Sequence, residues 1–132
     1  MTNLKRIFLL QKRLVRAFTN ADFYAHTAPL FRQLKILDIY KINYFYIAKF
    51  MFSYHHHFRY HFLIYLLLVK KSMINTRNAK SHRSHACRTN IKQFTILYRG
   101  PKIWNSLPTD IINTETIICF RSRMLNFLHL SQ

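Results

Sequence analysis

The 132-residue chain carries 21 Lys and Arg against 4 Asp and Glu, a formal net charge of +17. Half of its residues are apolar and 16% are aromatic, which excludes a chain disordered throughout, because such chains lack the side chains that build a core. The charge points to polyanions, nucleic acid first and an anionic membrane surface second, and two cysteines, Cys87 and Cys119, exclude a disulfide framework.

The opening segment MTNLKRIFLLQKRLVRAF is not read as a secretory signal. Its apolar run Ile7-Phe8-Leu9-Leu10 is short, and Lys12, Arg13 and Arg16 interrupt the residues after it. A reducing compartment, nucleus or cytoplasm, is therefore expected. Residues 4–18 predict an amphipathic helix. Leu4, Ile7, Phe8, Leu10, Leu14, Val15 and Phe18 fall on one side. Lys5, Arg6, Lys12, Arg13 and Arg16 fall on the other, with Leu9 among them as an exception.

Thr27-Ala28-Pro29 reads as a helix start, with Thr27 as N-cap and Pro29 in the first turn. A short helix through Leu30, Phe31 and Leu34 comes next. Asp38 is placed to cap a third helix running through Tyr54. Residues 55–69, HHHFRYHFLIYLLLV, fit a buried helix or a strand equally well. Their uncharged run Phe62–Val69 is too short to span a bilayer, which takes ~20 residues.

Residues 70–92 are basic and polar and read as a connector. Gln93–Tyr98 mixes β-branched and aromatic residues in rough alternation, which predicts a strand. Gly100 and Pro101 form its corner, through glycine's conformational range and proline's missing N–H. A short helix over Lys102–Leu107 is then stopped by Pro108. A last helix is expected from about Thr116 to Leu130, with Ile117, Phe120, Met124, Phe127 and Leu128 on one face. The expected fold is mainly α with a small β element, in three parts. Residues 1–57 are helical, 58–92 hold the apolar run and basic connector, and 93–132 form a strand–turn–helix module ending in a helix.

Two segments resemble a known family. CRTNIKQFTILYRGPKIWNSLP, followed by Asp110-Ile111 and a helix containing CFRSRMLNFL, is similar to the C-terminal end of LINE-type (non-LTR, jockey-like) retrotransposon reverse transcriptases. The pattern falls on Thr76-Arg77-Asn78, Arg88, Tyr98, Gly100 through Pro108, and Phe120. LLQKRLVRAF and HTAPLFRQLKIL resemble the region just after the polymerase core of the same proteins. The likeness covers residues 4–54 and about 75–130. Residues 55–74 depart from the family, which has a more polar connector there.

The resemblance implies a post-polymerase segment without catalysis, whose partners are nucleic acid and the polymerase core that would precede it. A polymerase holds paired Mg²⁺ ions with carboxylates, and the family does so with a Tyr-x-Asp-Asp motif. No such motif is present. The acids are Asp22, Asp38, Asp110 and Glu115, none adjacent to another. His82, His85 and Cys87 lack the Cys-x-x-Cys spacing of common zinc sites and read as polar residues of the connector, so no metal or other cofactor is expected. His55-His56-His57 read as surface imidazoles. Cys87, with His85 two residues away, has no recognisable oxyanion site.

The candidate nucleic-acid contacts form two clusters. Lys5, Arg6, Lys12, Arg13 and Arg16 make the first. Lys70, Lys71, Arg77, Lys80, Arg83, Arg88 and Lys92 make the second. They would contact phosphates without reading sequence, while Tyr98 and the interleaved histidines suit stacking on bases. Gly100, Pro101, Trp104 and Pro108 are expected to be structural. The expected activity is at most non-specific RNA or DNA binding, a reading that holds with or without a cellular role. The alternative is a small basic membrane-associated protein, based on the helix at 4–18 and the apolar run at 58–69.

Overall fold

The computed structural model describes residues 2–56 and 88–130. Among these the chain is mainly helical and contains no strand. The helices are α1 (Thr2–Phe18), α2 (Thr27–Gln33), α3 (Ile39–His55), α4 (Asn90–Gln93), α5 (Ile96–Ser106), α6 (Thr109–Ile112) and α7 (Ile117–Leu130). They form two compact units, one within Met1–Phe45 and Arg123–Gln132, the other within Tyr46–Ser122. The departing segment at 55–74 and the connector lie largely outside the described residues.

In the first unit α1 packs on α2, and Val15, Phe31, Phe45, Met124 and Leu128 are buried. Local hydrogen bonds fix the turns. After α1, Asn20 adopts φ 48°; its N–H donates to the Ala17 carbonyl (3.4 Å) and the Ala21 N–H to that of Arg16 (3.0 Å). After α2, Lys35 adopts φ 52°, and the bonds Lys35 N–H to Arg32 O and Ile36 N–H to Phe31 O, both 3.0 Å, repeat the pattern. Each is a Schellman stop, in which a left-handed residue lets the chain satisfy the last carbonyls of a helix. Gln11 joins α1 to the start of α3. Its Nε2 donates to the Leu37 carbonyl (2.9 Å), and its Oε1 accepts from the Ile39 N–H (3.0 Å).

Asp38 caps α3 as expected: its Oδ1 accepts from the Lys41 N–H at 2.8 Å. Thr116 does the same for α7, with Oγ1 accepting from the Cys119 N–H at 3.3 Å. The start of α2 differs. His26 occupies the N-cap without a side-chain bond, and Thr27 is a buried residue of the first turn. Pro29 still falls in that turn, where a missing N–H costs nothing.

The second unit is built around GPKIWNSLP. Gly100, Pro101, Ile103, Trp104 and Leu107 are buried, whereas Lys102, Asn105, Ser106 and Pro108 are exposed. Met51, Phe52, Trp104 and Phe120 are fully enclosed. Phe52 stacks on Phe120 with ring centroids 4.4 Å apart, and Trp104 lies parallel to Phe120 at 6.5 Å. Trp104 is thus a core residue, as expected.

The strand expected at Gln93–Tyr98 is not formed. Gln93 ends α4, and Ile96 through Tyr98 are the first turn of α5. The physical reason is the wider pattern. Ile96, Gly100, Ile103, Trp104 and Leu107 recur at helical spacing and share one face. That face buries the core, and its period overrides the short alternation Phe94, Ile96, Tyr98.

The corner at Gly100 is corrected with it. No glycine has a positive φ, so Gly100 does not provide an unusual backbone angle. It provides space: a Cβ there would sit 2.8 Å from Met51 Sδ and 3.4 Å from Met51 Cγ. Pro101 lies inside α5 rather than at its start, and with no N–H it leaves the Leu97 carbonyl without its helical donor. Pro108 stops α5 as expected, holding Leu107 extended at ψ 145°.

Candidate nucleic-acid interface

The first basic cluster divides in two. Lys5, Arg6 and Arg13 are exposed on α1. They lie within one arc of the helix, and α1 contains no acidic residue. Three cations without internal counter-ions form a local positive potential. Lys12 and Arg16 are half-buried and engaged with the fold. The Lys12 ammonium lies 4.4 Å from the centroid of the Phe8 ring, a cation–π contact one helical turn away. Arg16 Nε donates to the Ala25 carbonyl at 3.0 Å, and its guanidinium lies 6.0 Å from the Phe23 centroid. Arg16 therefore fastens the α1–α2 loop back onto α1.

Of the second cluster, Lys70, Lys71, Arg77, Lys80 and Arg83 lie outside the described residues. Arg88 is exposed just before α4, and Lys92 belongs to α4. Tyr98 is half-buried in α5. His82, His85 and Cys87 also lie outside the described residues, while Cys119 is a free, exposed thiol. Among the described residues no group of three His, Cys, Asp or Glu side chains could hold a metal ion.

The acids have local roles. Asp38 caps α3. Asp22 Oδ1 accepts from the Phe23 N–H at 2.6 Å, shaping the α1–α2 loop. Asp110 lies in the first turn of α6, where a carboxylate suits the positive end of the helix. His55 and His56 pack on aromatic rings. The His55 ring lies 5.4 Å from that of Trp104, and His56 lies 4.2 Å from Phe52. With Thr114 and Glu115 they line a cavity of about 290 Å³.

A second cavity, of about 320 Å³ and unforeseen from the sequence, lies in the first unit between Phe8, Lys12, Thr27, Phe31, Asp38 and Lys41. Lys41 Nζ donates to the Leu128 carbonyl at 2.7 Å. Burial lowers the pKa of its ammonium below the usual lysine value; Asp38 opposes this, and Arg32 adds to it. Two of its residues, Phe8 and Lys12, are four apart along α1, a spacing visible in the sequence. Its other wall is built by α2 and the start of α3, a juxtaposition that no spacing reveals.

No family model matches this chain, and no curated protein or solved structure does. Any functional reading rests on the residues themselves.

Proposed function

We propose that this chain is a non-catalytic, nucleic-acid-binding segment of the kind that comes after the polymerase core in LINE-type reverse transcriptases. The observation that carries the binding reading is the exposed trio Lys5, Arg6 and Arg13 on an acid-free helix, in a chain of net charge +17. Cations set along one helical face match the spaced phosphates of a polyanion and carry no base-reading geometry. Binding is electrostatic, sequence-tolerant and sensitive to salt. Arg88, exposed before α4, is a separate cation of the second unit.

The family reading rests on the two sequence segments. The burial of Gly100, Pro101, Ile103, Trp104 and Leu107 supports it by giving the shared GPKIWNSLP run a physical purpose, since these positions of the run fill a core. In such a protein the polymerase core would be the second partner. Fluorescence anisotropy with a labelled mixed-sequence single-stranded RNA tests the binding reading. Binding at low ionic strength that ignores base composition is expected. No binding at about 50 mM salt, where phosphate contacts are strong, would refute it.

A further inference from the structure

The helix that carries the cations also carries an apolar surface that this unit leaves uncovered. Ile7, Leu10, Leu14 and Phe18 are 48%, 56%, 59% and 81% exposed. On a helix of 3.6 residues per turn they fall within an arc of about 80° and run for about 17 Å along the axis. Val15 and the half-buried Leu4 and Phe8 supply the packing face instead. The predicted apolar side of α1 is thus split, and only part of it faces the core.

Phosphate-directed binding gives this stripe nothing to do, because aliphatic side chains gain no energy against charged oxygens. Pairing with a second copy is opposed by charge. Arg6 and Arg13 border the stripe, α1 holds no acid, and two such helices laid stripe to stripe would bring cations together. The cavity of this unit is lined by Phe8 and Lys12, which lie on another side of α1 from the stripe. An exposed apolar stripe with Arg6 and Arg13 along one edge fits a deformable anionic interface, where leucines enter the acyl region and the cations stay among the headgroups.

We infer that the exposed face of α1 docks on an anionic lipid bilayer, lying in its surface through Ile7, Leu10, Leu14 and Phe18. This goes beyond the nucleic-acid reading and uses different side chains. It needs no spanning segment, and among the described residues no helix is long and apolar enough to cross a membrane.

Vesicle flotation of the whole chain tests the inference, using phosphatidylcholine alone and phosphatidylcholine mixed with phosphatidylserine. Flotation with the anionic vesicles only is expected. Leu10→Ser/Leu14→Ser lowers the binding by at least about tenfold, because exposed leucines lose their transfer energy without disturbing the core. Phe18→Ser, at the most exposed position, is a second variant with the least effect on folding; circular dichroism checks both. RNA affinity of the serine variants stays unchanged, which separates this surface from the cationic one. Equal flotation with neutral vesicles, undiminished flotation of the variants, or loss of RNA affinity in them overturns the inference. So does a wild-type chain that ignores vesicles and sediments as a dimer through these residues.

Discussion

Gly100 and Lys35 show how single residues set this fold. Gly100 faces Met51, which is fully enclosed and has little freedom to move aside. Alanine is the better helix former by about 1 kcal/mol, but overpacking costs about 1–3 kcal/mol. The crowding wins here, so Gly100→Ala is expected to destabilise the chain by about 1 kcal/mol in urea unfolding. A double mutant with Met51→Ala should show non-additive losses; additive ones would remove Met51 as the cause. Lys35 has the opposite sign. It sits at φ 52°, where a Cβ is unfavourable, so Lys35→Gly should raise stability by about 0.5–1 kcal/mol. An unchanged or lowered unfolding midpoint would contradict the Schellman assignment. Gly100 was legible in the sequence as special, but its reason was not. A sequence shows that a position lacks a side chain, and only the packed neighbour shows what would occupy that space.

At the scale of elements, the helix starts were legible in part. Asp38 was readable because a short oxygen-bearing side chain before an apolar run satisfies the first N–H groups of a helix, whereas Thr27 fell one residue inside its helix and the Thr116 cap emerged only from the structure. Asp38→Ala should cost about 1 kcal/mol of stability, whereas Asp38→Asn should recover most of it; equal losses would place the effect elsewhere. Lys41, one turn into α3, gives that helix a pH dependence. The folded state binds its proton less tightly than the unfolded chain, so stability attributable to Lys41 rises with pH between its lowered pKa and the unfolded value near 10.5. Lys41→Gln should flatten that part of the wild-type profile, and parallel profiles would refute the assignment. The strand expected at Gln93–Tyr98 gave way to a helix because six residues of alternation fit either period. The longer run from Ile96 to Leu107 settles the matter only when its burial is known. For α1 the periodicity located the apolar side. It could not tell that Ile7, Leu10, Leu14 and Phe18 would stay exposed, since that depends on how much surface α2 and its neighbours cover.

For the whole molecule, charge is the dominant quantity. A net +17 across 132 residues opposes compaction and favours any polyanion that neutralises it. The cationic surface was legible as a set of residues but not as a division of labour. Lys12 and Arg16 resemble their neighbours in sequence, yet each is tied to an aromatic ring and Arg16 also to the α1–α2 loop. Only contacts across a turn distinguish a fastening cation from a binding one. The most direct test is therefore a salt titration of single-stranded RNA binding by the wild-type chain and a Lys5→Gln/Arg6→Gln/Arg13→Gln variant. Each phosphate contact contributes about 0.7 to the slope of log affinity against log salt. Loss of three contacts should make the slope shallower by about 2 and weaken binding equally for all RNA sequences. A variant with the wild-type slope and affinity would show that this face of α1 does not hold nucleic acid.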